Sequence, residues 1–285
     1  MKIKEKNTSV ENYRKASGIN FSGLSTLAYS PLLYKKNIDN PNNKKSSIAM
    51  NNGSAIDMLL TDEDEFYNNF YIMTAQKPTS EMMLRYVTKL IETDDYDEAY
   101  IASEYKLSKD KVKENFMKEG NNYYEALKQS EDKIVLTFEE FSQCKLVVKV
   151  IKDKFSHLFS RFEDNIDIYY QTAIFWKYDG IECKSLLDIV KVNHNNKTIQ
   201  PIDIKTTSKS ILNFQESYIY YKYYLQAAFY SRELENATYN IFNIEKDYTI
   251  LPFQFLVAEI SNIHPPYLFT VAELDLRKGE NGGIS

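Results

Sequence analysis

Residues 181–207 read IECKSLLDIVKV (181–192), NHNNK (193–197) and TIQPIDIKTT (198–207). Both flanks are rich in β-branched residues and the middle is a cluster of turn formers, so the stretch predicts two antiparallel strands joined by a hairpin. If Asn193 faces Thr198 across the turn, positions whose numbers sum to 391 pair, and Asp188 falls opposite Asp203. A carboxylate within an apolar strand is costly unless it is paired or metal-bound. Asp203 and Lys205 are two apart and therefore project from one face. Two carboxylates beside a lysine make a site for a hard cation such as Mg²⁺ or Mn²⁺, which prefers oxygen ligands. The lysine would then lie near the charge that develops on a reacting phosphate. The same residues would equally serve as a buried Asp–Lys pair that only ties strands together.

Outward from this hairpin the pattern changes on each side. DIYYQTAIFWKY (167–178) predicts a preceding strand, and NFQESYIYYKYYLQAAFYSREL (213–234) a following helix. ATYNIFNIE (237–245) and LPFQFLVAEI (251–260) read as two further strands. The N-terminal half is helical in pattern. Residues 1–20 are polar and carry no predicted element, and a short helix from Phe21 is capped by Ser22 or Ser25, with Pro31 beginning a second. Residues 37–47 form a loop, and IAMNNGSAIDMLL a helix from near Gly53. Residues 79–160 contain several helices, with Ser108 as one cap and Thr137/Glu140 at capping-box spacing before a long amphipathic helix. The expected architecture is thus α/β: a mixed central sheet of about five strands flanked by helices. Residues 1–285 form a single domain, with a helical insertion at 79–160.

Composition sets the outer limits. The chain has 285 residues, a net charge of −5 and a pI near 5.5, which argues against coating nucleic acid by bulk charge but leaves room for a local basic cleft. No apolar run is long enough to span a bilayer and the N-terminus lacks a secretory pattern. Cys144 and Cys183 have neither disulfide-framework nor zinc spacing, so the expected setting is the cytoplasm. The phosphate loop of an ATPase motor is absent, His157, His194 and His264 have no metal spacing, and there is no serine or cysteine triad. The stretch 99–116 has a helix-turn-helix look, with Lys109, Lys111 and Lys113, against which stands plain helical packing. Tyr218, Tyr220, Tyr221, Tyr223 and Tyr224 could stack bases, although helical spacing favours a core role for most of them. Lys184, Lys191, Lys205, Lys209 and Lys222 could track a phosphate backbone or stand as solvated lysines.

The order Asp188, then Asp203-Ile204-Lys205, then Gln226-xxx-Tyr230 resembles the PD-(D/E)xK nuclease superfamily, and within it the RecB, RecE and lambda exonuclease type. Ser30-Pro31 and Gly53-Ser-Ala-Ile-Asp57 look like that family's opening helices. The resemblance implies a restriction-endonuclease-like core and a deoxyribonuclease, an exonuclease of phage or bacterial recombination or replication. It implies Mg²⁺ or Mn²⁺ held by Asp57, Asp188, Asp203 and the Ile204 carbonyl. Lys205 and Gln226 would be catalytic, with Gln226 orienting Lys205 or a water. Tyr230 would pack its helix and meet DNA, joined by Lys209 and Lys222. The implied partners are DNA, a single-strand annealing or recombination protein, and further copies of the chain, with no membrane. Two positions depart from the family pattern: Asp57 stands where a histidine is usual, and the first strand offers Gln171 rather than an acid. A structure-specific endonuclease and an inactive nuclease-fold protein for DNA binding or assembly are the alternatives.

Overall fold

The residues described by the computed structural model are 2–3, 10–40, 47–159 and 165–280. In chain order the strands are β1 (Lys2–Ile3), β2 (Phe70–Met73), β3 (Ile134–Thr137), β4 (Ile166–Tyr178), β5 (Ile181–Asn193), β6 (Thr198–Thr207), β7 (Thr249–Ile250), β8 (Gln254–Glu259) and β9 (Tyr267–Thr270). The helices of the first half are α1 (Val10–Lys15), α2 (Phe21–Tyr29), α3 (Pro31–Asp39), α4 (Ile48–Thr61), α5 (Glu63–Asn69), α6 (Glu81–Thr93), α7 (Tyr96–Ser103), α8 (Lys109–Asn115) and α9 (Asn121–Ser130). Those of the second half are α10 (Phe138–Lys154), α11 (Ser156–Phe159), α12 (Phe214–Tyr220), α13 (Tyr223–Phe242) and α14 (Glu273–Glu280). The loop expected at 37–47 lies mostly, at 41–46, outside the described residues.

The chain divides into two compact units, one of Met1–Asp62 with Gln143–Ser285 and one of Glu63–Ser142. The first is α/β. Its mixed seven-stranded sheet runs β1-β4-β5-β6-β8-β9, with β7 also on β6. Asn193 pairs with Thr198 and Ile189 with Ile202, the register read from the sequence. β6 and β8 are parallel neighbours, and β8 is buried along nearly its whole length, as a strand covered on both faces must be. On one face Val190, Val192, Ile199, Phe255 and Val257 pack against Ala227, Tyr230 and Leu234 of α13. The extra strands β1, β7 and β9 span two to four residues, too short to leave a periodic signal.

One strand expectation is overturned. Residues 237–242 of ATYNIFNIE continue α13, which runs unbroken from Tyr223. The stretch has no Gly or Pro to stop the helix, and Leu234 and Phe242, eight apart, both reach the core at helical spacing. Three helix starts also differ. Asn20 rather than Ser22 or Ser25 caps α2, accepting a hydrogen bond from the Gly23 N–H. Helix α4 begins five residues before Gly53, capped by Ser47. Helix α1 forms in the stretch given no element, and its last carbonyls are capped from a distance: Lys184 Nζ donates to the carbonyls of Tyr13 (2.9 Å), Arg14 (3.2 Å) and Ala16 (2.6 Å).

The second unit is helical apart from the parallel pair β2–β3. Met83, Tyr86, Val87 and Leu90 of α6 meet Ala99, Val112, Phe116 and Tyr124 in its core. The lysines of the helix-turn-helix-like stretch are committed locally: Lys109 pairs with Asp97, Lys111 with Glu114, and Lys113 lies over the Tyr96 ring. Ordinary helix packing therefore accounts for the stretch. The boundary after Ser142 falls inside α10, whose capping box forms as spaced: Glu140 N–H donates to Thr137 Oγ1 and Thr137 N–H to Glu140 Oε2.

Candidate active site

Asp188 and Asp203 stand opposite each other one position beyond the last paired residues, Ile189 and Ile202. On the other side of β5 the ladder to β4 also skips a row, pairing Tyr170 with Ile189 and Thr172 with Leu187 but not Gln171 with Asp188. The row Gln171–Asp188–Asp203 is thus an opening in the sheet. Its backbone carries the mark: Gln171 has φ +47°, a left-handed conformation that costs a non-glycine residue about 1 kcal/mol or more.

Side chains fill the opening. Gln171 Nε2 donates to Asp57 Oδ2 at 2.8 Å and to Asp188 Oδ1 at 3.3 Å, so one amide bridges two carboxylates. The Ile204 N–H donates to Asp188 Oδ2 at 2.8 Å, replacing the ladder bond that β5 no longer offers. In an extended strand the C=O of a residue shares the edge of its N–H, so the Ile204 carbonyl faces the same opening. Gln226 Nε2 donates to Asp203 Oδ1 at 2.7 Å, and Lys205 Nζ pairs with Asp203 Oδ2 at 2.5 Å. Lys205 also lies 5.0 Å from the centre of the Tyr223 ring. Asp57 comes from α4, which approaches β6 closely at Gly53: a Cβ there would stand 3.1 Å from Thr206 Oγ1.

Charge is unbalanced in this cluster. Burial first, then the charges of Asp203 and Asp57, push the Asp188 carboxyl well above its ordinary value, against the pull of Lys205 and the Ile204 N–H. Burial works to lower Lys205, but Asp203 and Asp188 outweigh it and hold the ammonium above its usual pKa. Lys205 is therefore held as the ammonium form beside Asp203.

The structure brings together five of the residues singled out in the sequence, Asp57, Asp188, Asp203, Lys205 and Gln226, with Ile204 beside them. Others differ. Gln226 holds Asp203 rather than Lys205. Tyr230 is 9% exposed and packs against the Phe253 ring, so it serves its helix and offers no open face to DNA. Lys184 is buried under α1 and tracks no backbone, whereas Lys209 and Lys222 are exposed. Two residues had no site role assigned from the sequence: Gln171, noted only as a departure from the family pattern, and Glu233. Gln171 had one signal, a polar side chain in the middle of an apolar strand. Glu233 had another, its place seven residues after Gln226 on the same side of α13. Glu233 is wholly buried, neither carboxylate oxygen has a well-formed hydrogen bond, and burial drives its pKa well up, against a smaller pull from the Ser185 hydroxyl.

The donor set fits a hard divalent ion. Among the described residues no group of three or more His, Cys, Asp or Glu side chains is arranged to hold a metal ion as it stands. Mg²⁺ does not need one, since it is commonly bound through one or two carboxylates and keeps several waters. Asp188, Asp203 and the Ile204 carbonyl supply oxygens on one opening.

No protein-family model matches the chain, and no curated protein matches its sequence. Among solved structures, a crystal structure from Eubacterium rectale of a protein provisionally named an exonuclease superposes with a TM-score of 0.51 at 14% identity, covering 99% of this chain and 89% of that one. The chain shares that protein's fold. At such identity the likeness speaks for the fold alone, and the site must be judged by its own chemistry.

Proposed function

We propose that the protein is a metal-dependent deoxyribonuclease of the PD-(D/E)xK type that hydrolyses DNA from an end. The observation that carries this reading is the opened row of the sheet, where Asp188, Asp203, Lys205 and Gln226 converge in the order and on the elements that the sequence resemblance implies. The fold shared with a protein provisionally named an exonuclease supports it.

Asp188, Asp203 and the Ile204 carbonyl would hold Mg²⁺ or Mn²⁺, with Asp57 beside them. When bound, the ion lowers the pKa of a coordinated water and offsets negative charge on the phosphate. The chain's own residues do the rest. Lys205 would direct its positive charge toward the non-bridging phosphate oxygens as the fifth bond to phosphorus forms. Gln226 fixes one oxygen of Asp203 and so aims the other. Gln171 bridges Asp57 and Asp188 by donating to both, which offsets part of the repulsion between the two carboxylates.

Linear and covalently closed circular DNA incubated with Mg²⁺, Mn²⁺ or EDTA test the proposal. Loss of linear DNA alone, with either metal and not in EDTA, is the expected result. Nicked or linearised circles would instead identify an endonuclease. Absence of cleavage with every metal would leave a DNA-binding or assembly protein on a nuclease fold.

A further inference from the structure

The five tyrosines between Tyr218 and Tyr224 do not share one fate. Tyr218 donates from its hydroxyl to Asp275 Oδ2 at 3.0 Å and packs on Phe255. Tyr223 is half-buried between Phe214, Phe255 and the Lys205 ammonium. Tyr220 and Tyr221 are different: they are 79% and 53% exposed. They stand at the junction where α12 ends and α13 begins, and the junction is held by Lys222 in the left-handed region at φ +54°. Their rings meet edge to face, with centroids 4.9 Å apart and planes at 89°. Tyr221 is in turn stacked on Tyr223 at 5.6 Å and 26°, and Tyr223 lies 5.0 Å from Lys205 Nζ. A continuous chain of ring contacts therefore leads from Lys205 of the site to the surface.

We propose that Tyr220 and Tyr221 form a stacking platform for unpaired bases, so that the strand entering the Asp188–Asp203–Lys205 site is single-stranded DNA or a single-stranded overhang. The proposal rests on the nuclease reading for what happens at the site, but the platform itself is a binding feature. At 79% and 53% exposed, the two adjacent rings bury little area and leave faces free for a ligand. A tyrosine ring has two side-chain torsions and a flat face, and stacks on any base without regard to sequence. Bases inside a duplex are already stacked on one another and have no free face to offer. The exposed Lys222, which follows Tyr221, and Lys209 after β6 supply charge for the backbone, while Glu216 on α12 is an exposed acid of the same stretch. Bases held on these rings would place the adjoining phosphate on the line toward Lys205.

Fluorescence anisotropy in EDTA, with a short labelled single strand and a blunt duplex of the same sequence, separates binding from cleavage. The Tyr220→Ala/Tyr221→Ala variant is expected to lose ~10–100-fold in affinity for the single strand and little for the duplex. The Tyr220→Phe/Tyr221→Phe variant keeps the rings and is expected to bind as the wild type does. With Mg²⁺, the wild type should degrade a duplex with an overhang faster than a blunt one, and the alanine pair should lose that preference. Unchanged single-strand affinity in the alanine pair, or an equal loss in the phenylalanine pair, would overturn the platform, as would wild-type protein that does not bind single strands. If no DNA is cleaved with any metal while the ring-dependent binding holds, the platform stands and the nuclease reading falls.

Discussion

Asp203 is tied by two side chains at once, Gln226 on one oxygen and Lys205 on the other, and it is almost fully buried. A residue so held has one geometry, which suits a metal ligand whose direction matters. Asp203→Asn and Lys205→Ala are each expected to lower cleavage of linear DNA by ~10²–10⁴-fold, while DNA binding in EDTA persists. Near-wild-type cleavage by either purified variant would move the site elsewhere. Glu233 is a second buried acid, with a different consequence. Its folded pKa is raised by burial, so the neutral form favours the fold, and that contribution is complete below the unfolded carboxyl value and lost as pH rises through the folded one. Glu233→Gln should accordingly melt higher than the wild type at neutral and alkaline pH, with the difference shrinking toward pH 4. Thermal unfolding across that range decides it; a glutamine variant less stable at pH 8 would mean that the charged carboxylate has a partner worth more than its burial costs.

At the scale of elements, the site is made where strands stop pairing. A regular ladder would have set Asp188 directly against Asp203, two like charges across a pair, which is unfavourable. The sheet opens instead, and a glutamine amide and a backbone N–H take the place of the missing ladder bonds. The second determinant is the closeness of α4 to β6. Gly53 lies inside α4, where alanine would ordinarily add about 0.5–1 kcal/mol of stability. The Thr206 hydroxyl stands 3.1 Å from where its Cβ would go, a contact tight enough that one side must give by a few tenths of an ångström. A double-mutant cycle in urea is expected to show Gly53→Ala as neutral or destabilising in the wild type, and as stabilising by about 0.5–1 kcal/mol once Thr206→Ala has cleared the space. Equal effects in the two backgrounds would show that the contact does not limit the approach of the helix that carries Asp57.

At the scale of the molecule, the three aspartates come from α4, β5 and β6 of the first unit, so a cation bound by them would stabilise that unit as a whole. Millimolar Mg²⁺ or Mn²⁺ is expected to raise its melting temperature by ~2–5 °C, by mass action on the folded state. Asp57→Ala and Asp57→Asn should both shrink the shift and slow cleavage, the second because it keeps the shape without the charge. Full shift and full cleavage in both variants would remove Asp57 from the site.

The turn formers at 193–197 between two β-rich flanks marked the hairpin, and setting Asn193 opposite Thr198 across that turn placed its register, which is the one observed. The same local logic set the Ser108 cap and the Thr137/Glu140 box, which depend on residues no more than three apart. Helix α13 was half legible: its core positions are periodic, yet the β-branched and aromatic residues near its end carry strand propensity that tertiary packing overrode. Four features were decided only by the folded chain. The Gln171–Asp188–Asp203 row opens; Gln226 goes to Asp203; Lys184 turns inward to cap α1; and Tyr220 and Tyr221 are left exposed while Tyr223 turns in. Each joins residues far apart in sequence or depends on which neighbour arrives first at a shared space. Periodicity reports which face of an element a residue occupies, whereas a contact of this kind also requires knowing what stands opposite.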